Sequence, residues 1–159
     1  SNQKTLLKLL NQVAGILSPT DLTNNTKKFS LLKGKLPWPT NGRVKHEYGS
    51  WRMAKNIKWQ GMLITANIGE AVRSIHHGRI VFADYLRGHG LLIIVDHGAG
   101  YLSLYAHNDS LYKSLGDWVE AGEIISHVGN TGGQKYAGLY FELRYKGEPQ
   151  NPIRWLKPA

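Results

Sequence analysis

Seven histidines and no cysteine in 159 residues raise one chemistry first, a metal held by imidazole and carboxylate. Spacing argues against it at most positions. His76 and His77 are adjacent before Gly78, so on a strand their rings would face opposite ways, and two solvated imidazoles in a turn fit better than a chelate. His89 lies between Gly88 and Gly90, which is again turn chemistry. His97 follows Asp96 at a strand end, where bonding to nearby backbone is the ordinary role. His46 and His127 have no partner at ligand spacing, and only His107, closing "LYAH", is singled out by position. Other chemistries have less support. No serine sits in a nucleophile elbow, Glu120, Glu123 and Glu142 cannot be paired as acid and base, and "GNTGG" (129–133) lacks the lysine and following helix of a phosphate loop.

The most informative stretch is "LYFELRY", 139–145. With a period of two, Leu139, Phe141, Leu143 and Tyr145 form a core face, while Tyr140, Glu142 and Arg144 share the other. A phenol, a carboxylate and a guanidinium on one strand face are more than solvation requires.

The elements that must position these residues are mostly strands. "GMLITA" (61–66), "HGRIVFADY" (77–85), "GLLIIVDHG" (90–98), "YLSLYAH" (101–107), "EIISHVG" (123–129) and "LYFELRY" are short β-rich runs bounded by Gly, Asn or Asp. "GAG" (98–100) suits a hairpin between two of them. No helical pattern separates the runs, so the fold class is all-β, with two packed antiparallel layers. Ahead of it, Leu6, Leu7, Leu9, Leu10, Val13, Ile16 and Leu17 recur at helical intervals, giving one amphipathic helix within 1–17 that stops near Pro19 and lies outside the β body. Residues 18–35 read as a basic linker. "LPWPTNG" then opens the body, 36–159, with Trp38 plugging the edge of its core.

Charge is unevenly distributed. The first 58 residues carry 11 of the 20 Lys and Arg with only Asp21 and Glu47 against them, and the remainder is balanced, so the excess of +9 lies in the leading third. Lys27, Lys28, Lys33 and Lys35 are spread among small polar residues without aromatic interleaving, which argues for a solvated linker over a nucleic-acid surface. No apolar run approaches membrane-spanning length. The leading Ser1-Asn2 pair reads as a cloning remnant, so a targeting segment is expected upstream.

The ordered series of motifs from Leu36 to Leu156 resembles the LytM-type, M23-family zinc peptidase domain. The resemblance implies an antiparallel β fold with a groove across one sheet, where active members cut peptidoglycan cross-links. It also implies that the metal site is degenerate. Active members carry H-x-G-x-D, and here "WQGML" puts Trp59 for the histidine and Leu63 for the aspartate. Their later H-x-H is "GLYFE" here, with Gly138 for the catalytic histidine and Tyr140 for the metal-binding one. Only His107 is retained. A catalytic zinc needs three protein ligands, which Trp59, Leu63 and Tyr140 cannot supply. No zinc, no other cofactor and no hydrolase activity are therefore expected.

Among degenerate LytM domains the motifs "KGKLPWP", "KWQGM", "LYFELR" and "NPIRWL" resemble the EnvC-type murein hydrolase activators. That resemblance implies a periplasmic, non-catalytic activator of N-acetylmuramoyl-L-alanine amidases in Gram-negative cell division, with a coiled coil upstream that links it to the division machinery. The expected partner groove comprises Trp59, Gln60, Leu63, Tyr105, His107, Gly138, Tyr140, Glu142 and Arg144. Arg144 is expected to meet a partner carboxylate, so that Arg144→Glu blocks stimulation with little change in melting temperature. Peptidoglycan contact is compatible with this role. Two other readings stay open: a metal-dependent endopeptidase with unconventional ligands around His107, and a passive wall-binding module. Residues 4–35 could cover the groove.

Overall fold

The computed structural model describes residues 2–14, 29–53 and 56–159. The helix α1 (Asn2–Ala14) precedes ten strands: β1 (Arg43–His46), β2 (Met62–Thr65), β3 (Ala71–Arg73), β4 (Gly78–Leu86), β5 (Gly90–Gly98), β6 (Tyr101–Leu111), β7 (Trp118–Val119), β8 (Ile124–Val128), β9 (Gly138–Tyr145) and β10 (Glu148–Gln150). The main sheet runs β1-β2-β9-β6-β5-β4-β7, with β10 on β9. A small second layer, β3 with β8, joins through β8 to β6. Every strand pair is antiparallel, as expected from runs joined by short turns.

Both faces of the sheet are covered, which is why β5 and β9 are buried almost throughout. On one face, Ile64, Ile93, Val95, Tyr105, Phe141 and Leu143 pack against Val72, Ile75, Ile125 and Val128 of the small layer. On the other, Val81, Leu92, Ile94, Leu102, Leu104, Ala106 and Tyr140 pack against Leu6, Leu10 and Val13.

The second packing corrects one expectation: α1 lies on the sheet rather than outside the β body. Its stripe of Leu6, Leu10 and Val13 is the i, i+4, i+7 face of a helix that needs an apolar surface to cover. Positions 15–17 of the expected helix lie outside the described residues.

A second correction concerns the linker. Residues 18–28 lie outside the described residues, but 29–35 belong to the body. Phe29 is fully buried, stacked on His97 at 4.9 Å and packed beside Tyr101 and Trp155. The Gly34 and Leu36 amides both donate to the Trp155 carbonyl, and Lys157 N–H donates to the Leu36 carbonyl. Trp38 is half-buried against the core, its indole N–H bonded to the Lys157 carbonyl at 2.7 Å.

Candidate functional site: an aromatic cavity under a helix

Antiparallel pairing of β2 with β9 sets Leu63 opposite Tyr140, and β6 with β9 sets Ala106 opposite Tyr140. His107 follows within β6, just past its last pairing with β9, held in the left-handed region (φ 66°). Its N–H donates to the His89 carbonyl at 2.7 Å and its Nδ1–H donates to the Thr131 carbonyl at 2.8 Å. Such backbone strain persists only where surroundings over-determine it, as these two bonds do. Trp59, just before β2, has its ring centroid 6.0 Å from that of Tyr140, while His89 and His107 stand 6.1 and 6.3 Å away. Close approach fixes the local chain: a Cβ at Gly61 would lie 2.3 Å from the Phe141 carbonyl oxygen.

These side chains surround a cavity of about 230 Å³ whose roof is the first turn of α1, with Asn2, Gln3 and Leu6. Gln60 and Glu142 complete its wall. Trp59 is sandwiched from outside by His46, stacked at 4.6 Å, and by the Arg52 guanidinium, 4.0 Å from its ring. Two polar atoms here, Trp59 Nε1 and His89 Nδ1, are buried without a hydrogen-bond partner. Native proteins rarely tolerate such orphans, and each costs about 1–3 kcal/mol.

The polar face of β9 is a closed network. Tyr140 O–H donates to Glu142 Oε2, Arg144 Nε donates to Glu142 Oε1 at 2.7 Å, and Arg144 NH1 donates to the Gly147 carbonyl at 2.9 Å. Glu142 is 1% exposed and Arg144 2%. Burial, with the Glu142 charge beside it, raises the Tyr140 phenol well above its ordinary range. Burial drives His107 down to about 4 and lowers His89, so both imidazoles are neutral at pH 7.

A zinc ion does not fit this donor set. Trp59 offers only an N–H, Leu63 offers nothing, and Tyr140 is held as the protonated phenol. Among the described residues no three His, Cys, Asp or Glu side chains converge to hold a metal.

The structure brings together Trp59, Gln60, Leu63, His107, Tyr140 and Glu142 of the expected groove. Three expected members stand elsewhere. Tyr105 points to the opposite face, fully buried, where its hydroxyl accepts the Ile75 N–H and bonds Ser103, because its parity on β6 is that of the main core. Gly138 is buried at the start of β9, paired with Thr65 and bridged to Gly129. Arg144 is enclosed behind Glu142 rather than offered to a partner, since an internal carboxylate already neutralises it. Sequence reasoning missed His89, Arg52 and His46, whereas the possibility that residues 4–35 cover the groove matches the placement of Leu6 over the cavity. His89 is in a turn as expected, its N–H bonded to the Leu86 carbonyl, but that turn folds over Tyr140, for which "GHG" carries no signal.

Comparisons with known proteins agree with this geometry. Residues 57–152 match the family described as Peptidase family M23. The chain is 40% identical over 139 residues to "Murein hydrolase activator EnvC" of Escherichia coli K12, covering 87% of this chain and 33% of that protein. It is 40% identical over 120 residues to "Murein hydrolase activator NlpD" of the same organism, covering 75% and 30%. The chain thus spans about a third of the length of these curated relatives. Among solved structures, the lysostaphin catalytic domain from Staphylococcus simulans superposes with a TM-score of 0.66 at 28% identity, covering 71% of this chain and 90% of that one. A zinc-containing peptidase from Vibrio cholerae gives 0.71 at 19% identity, covering 79% and 41%, a likeness of fold alone.

Proposed function

Because the chain belongs to peptidase family M23, we propose that it has exchanged peptide hydrolysis for recognition, and acts in the periplasm as a non-catalytic activator of N-acetylmuramoyl-L-alanine amidases. One observation carries the reading: an indole, an isobutyl group and a protonated phenol, at the positions that the motif resemblance assigns to zinc ligands, surround a recessed cavity. Those three side chains cannot hold a Lewis-acid metal, but buried aromatics beside an aliphatic residue are what a protein hot spot is made of. The orphaned Trp59 Nε1 gives an inserted segment a donor to bond. The names of the EnvC and NlpD relatives support activation of wall hydrolases.

On this reading α1 is the resting occupant, because Leu6 fills the place that a partner's apolar side chain would take. Activation therefore requires α1 to leave, and partner and helix compete for Tyr140.

The test mixes the chain with a purified periplasmic amidase and dye-labelled peptidoglycan. The chain alone is expected to release no dye and the pair to release more than the amidase alone. Leu63→Lys, at a partly buried position packed on the second cluster, is expected to abolish the gain, with an unchanged thermal transition checked first. Lysis by the chain alone, dependent on one bound zinc and stopped by chelator, would overturn the reading in favour of an endopeptidase.

A further inference from the structure

Next to the helix-covered cavity is a second cleft, of about 500 Å³, to which α1 contributes no residue. The two share Arg52, Trp59, Leu63 and Gln134 in their walls, so they lie side by side across those side chains. Its rims are the rings of Trp51 and Tyr136, 59% and 64% exposed, and the fully exposed Met53. Large apolar groups gathered this way mark a contact surface rather than the scattered exposure normal for a monomer.

The charge here is one-sided. Lys45 and Lys135 place their ammonium groups 5.2 and 5.5 Å from the Tyr136 centroid, Lys58 sits 4.8 Å over Trp51, and Arg52 lies on Trp59. None of these four cations forms an ion pair among the described residues, and no carboxylate lines the cleft. A π face fixes a cation's position yet leaves its N–H donors open, so these charges are both positioned and unneutralised. His46 on the same wall is lowered by burial first and then by Lys45 and Arg52, consistent with a local positive field.

We infer that this open cleft is a docking site for an acidic peptide segment of the protein partner, engaged while α1 still covers the adjoining cavity. That the segment belongs to the partner rests on the activator reading; that the cleft takes an acidic peptide does not. Charge complementarity selects the occupant: carboxylates meet Lys45, Arg52 and Lys135, while intervening aliphatic side chains lie on Trp51 and Tyr136. A foothold outside the covered cavity gives a partner a first contact that does not wait for α1 to open, and electrostatic steering raises the encounter rate. The shared wall of Arg52, Trp59, Leu63 and Gln134 then sets the bound segment beside the cavity that Leu6 covers.

The experiment uses a fluorescein-labelled peptide of alternating Glu-Glu-Leu units, its Gln-Gln-Leu counterpart, and a soluble disaccharide muropeptide. Fluorescence anisotropy is read on the wild-type chain, on Lys45→Glu/Lys135→Glu, and on the charge-matched control Lys146→Glu/Lys157→Glu, whose lysines lie outside the cleft. All proteins are first checked for an unchanged melting temperature. The Glu peptide is expected to bind wild type, with Kd raised about tenfold or more in the cleft variant and less than about twofold in the control, and to weaken with salt. Equal losses in the two variants would overturn the inference, because the peptide would then sense net charge alone. It would also be overturned if only the muropeptide bound and lost affinity in the cleft variant, making the cleft a wall-binding subsite. No amidase enters this measurement, so its failure leaves the activator reading standing, and failure of amidase stimulation leaves the cleft's peptide binding standing.

Discussion

Loosening α1 should turn the chain into a stronger activator. Leu6 and Leu10 are 1% and 7% exposed, packed on Leu92, Ile94, Leu104 and Tyr140. Truncating each to alanine removes about three buried carbons, or about 2 kcal/mol. Together Leu6→Ala and Leu10→Ala withdraw about 4 kcal/mol, close to three decades in the equilibrium between covered and open states. A 13-residue helix has little stability of its own in water, and α1 has neither an acidic first turn nor a basic last turn, so undocking should also unwind it. The body should survive, since its larger core of Phe29, Ile93, Tyr105, Phe141 and Trp155 contains no α1 residue. Two measurements are paired: dye release from peptidoglycan with a fixed amount of amidase, and amide hydrogen exchange across residues 2–14. The double variant should reach half-maximal stimulation at a concentration lower by up to about a hundredfold or more, with α1 amides exchanging freely and the main thermal transition nearly unmoved. Free exchange without any gain in stimulation would refute the claim that α1 competes with the partner. Persistent protection of α1 would refute the packing argument itself.

Two further outcomes follow from the buried groups. Arg144→Glu should lower the melting temperature sharply rather than leave it unchanged, because it puts two carboxylates where Glu142 now has its cation; breaking a buried pair costs about 3–5 kcal/mol, and an unchanged urea midpoint would show that Arg144 is not enclosed. Stability should also fall on acidification. His97 is pushed down to about 3 and His107 to about 4, both chiefly by burial, whereas an unfolded histidine titrates near 6.5. Between pH 6.5 and those folded values the unfolded chain binds more protons, so stability is full above 6.5 and by pH 4.5 has dropped by about 2–3 kcal/mol for each. Urea titrations at pH 7.5 and 4.5 measure this, and coincident midpoints would contradict it.

How far the sequence disclosed this arrangement depended on whether a residue's surroundings lie within its own strand. Strand β9 was legible because alternation is a local property: Leu139, Phe141 and Leu143 go to the main core and Tyr140 to the opposite cluster, as period two requires. Strand β6 was not. Its Tyr105 and its Leu104 are both fully buried because both sheet faces are covered, so hydrophobicity could not say which face bears the groove. The burial cost of Arg144 seemed to demand exposure, but Glu142, two residues earlier on the same face, bears that cost within the strand. Phe29, with Leu31 and Leu32, forms a run between lysines too short to show a period, so only the folded chain reveals the ring cluster that anchors it. The stripe on α1 announced a buried face and the groove was one surface it could cover, but periodicity alone could not choose between that and a helix outside the β body.

That surface sets the logic of the site. Tyr140 is bonded at its hydroxyl to Glu142 and belongs at its ring to the cluster that α1 completes. A metal at this position would be held by a few lone pairs, indifferent to a helix some distance away. An aromatic ring is held by area, and area can be covered by only one occupant at a time. Replacing ligands with Trp59, Leu63 and Tyr140 therefore alters more than the chemistry available. On the proposed reading it makes occupancy of the groove a competition, in which Leu6 yields before a partner side chain reaches the same ring.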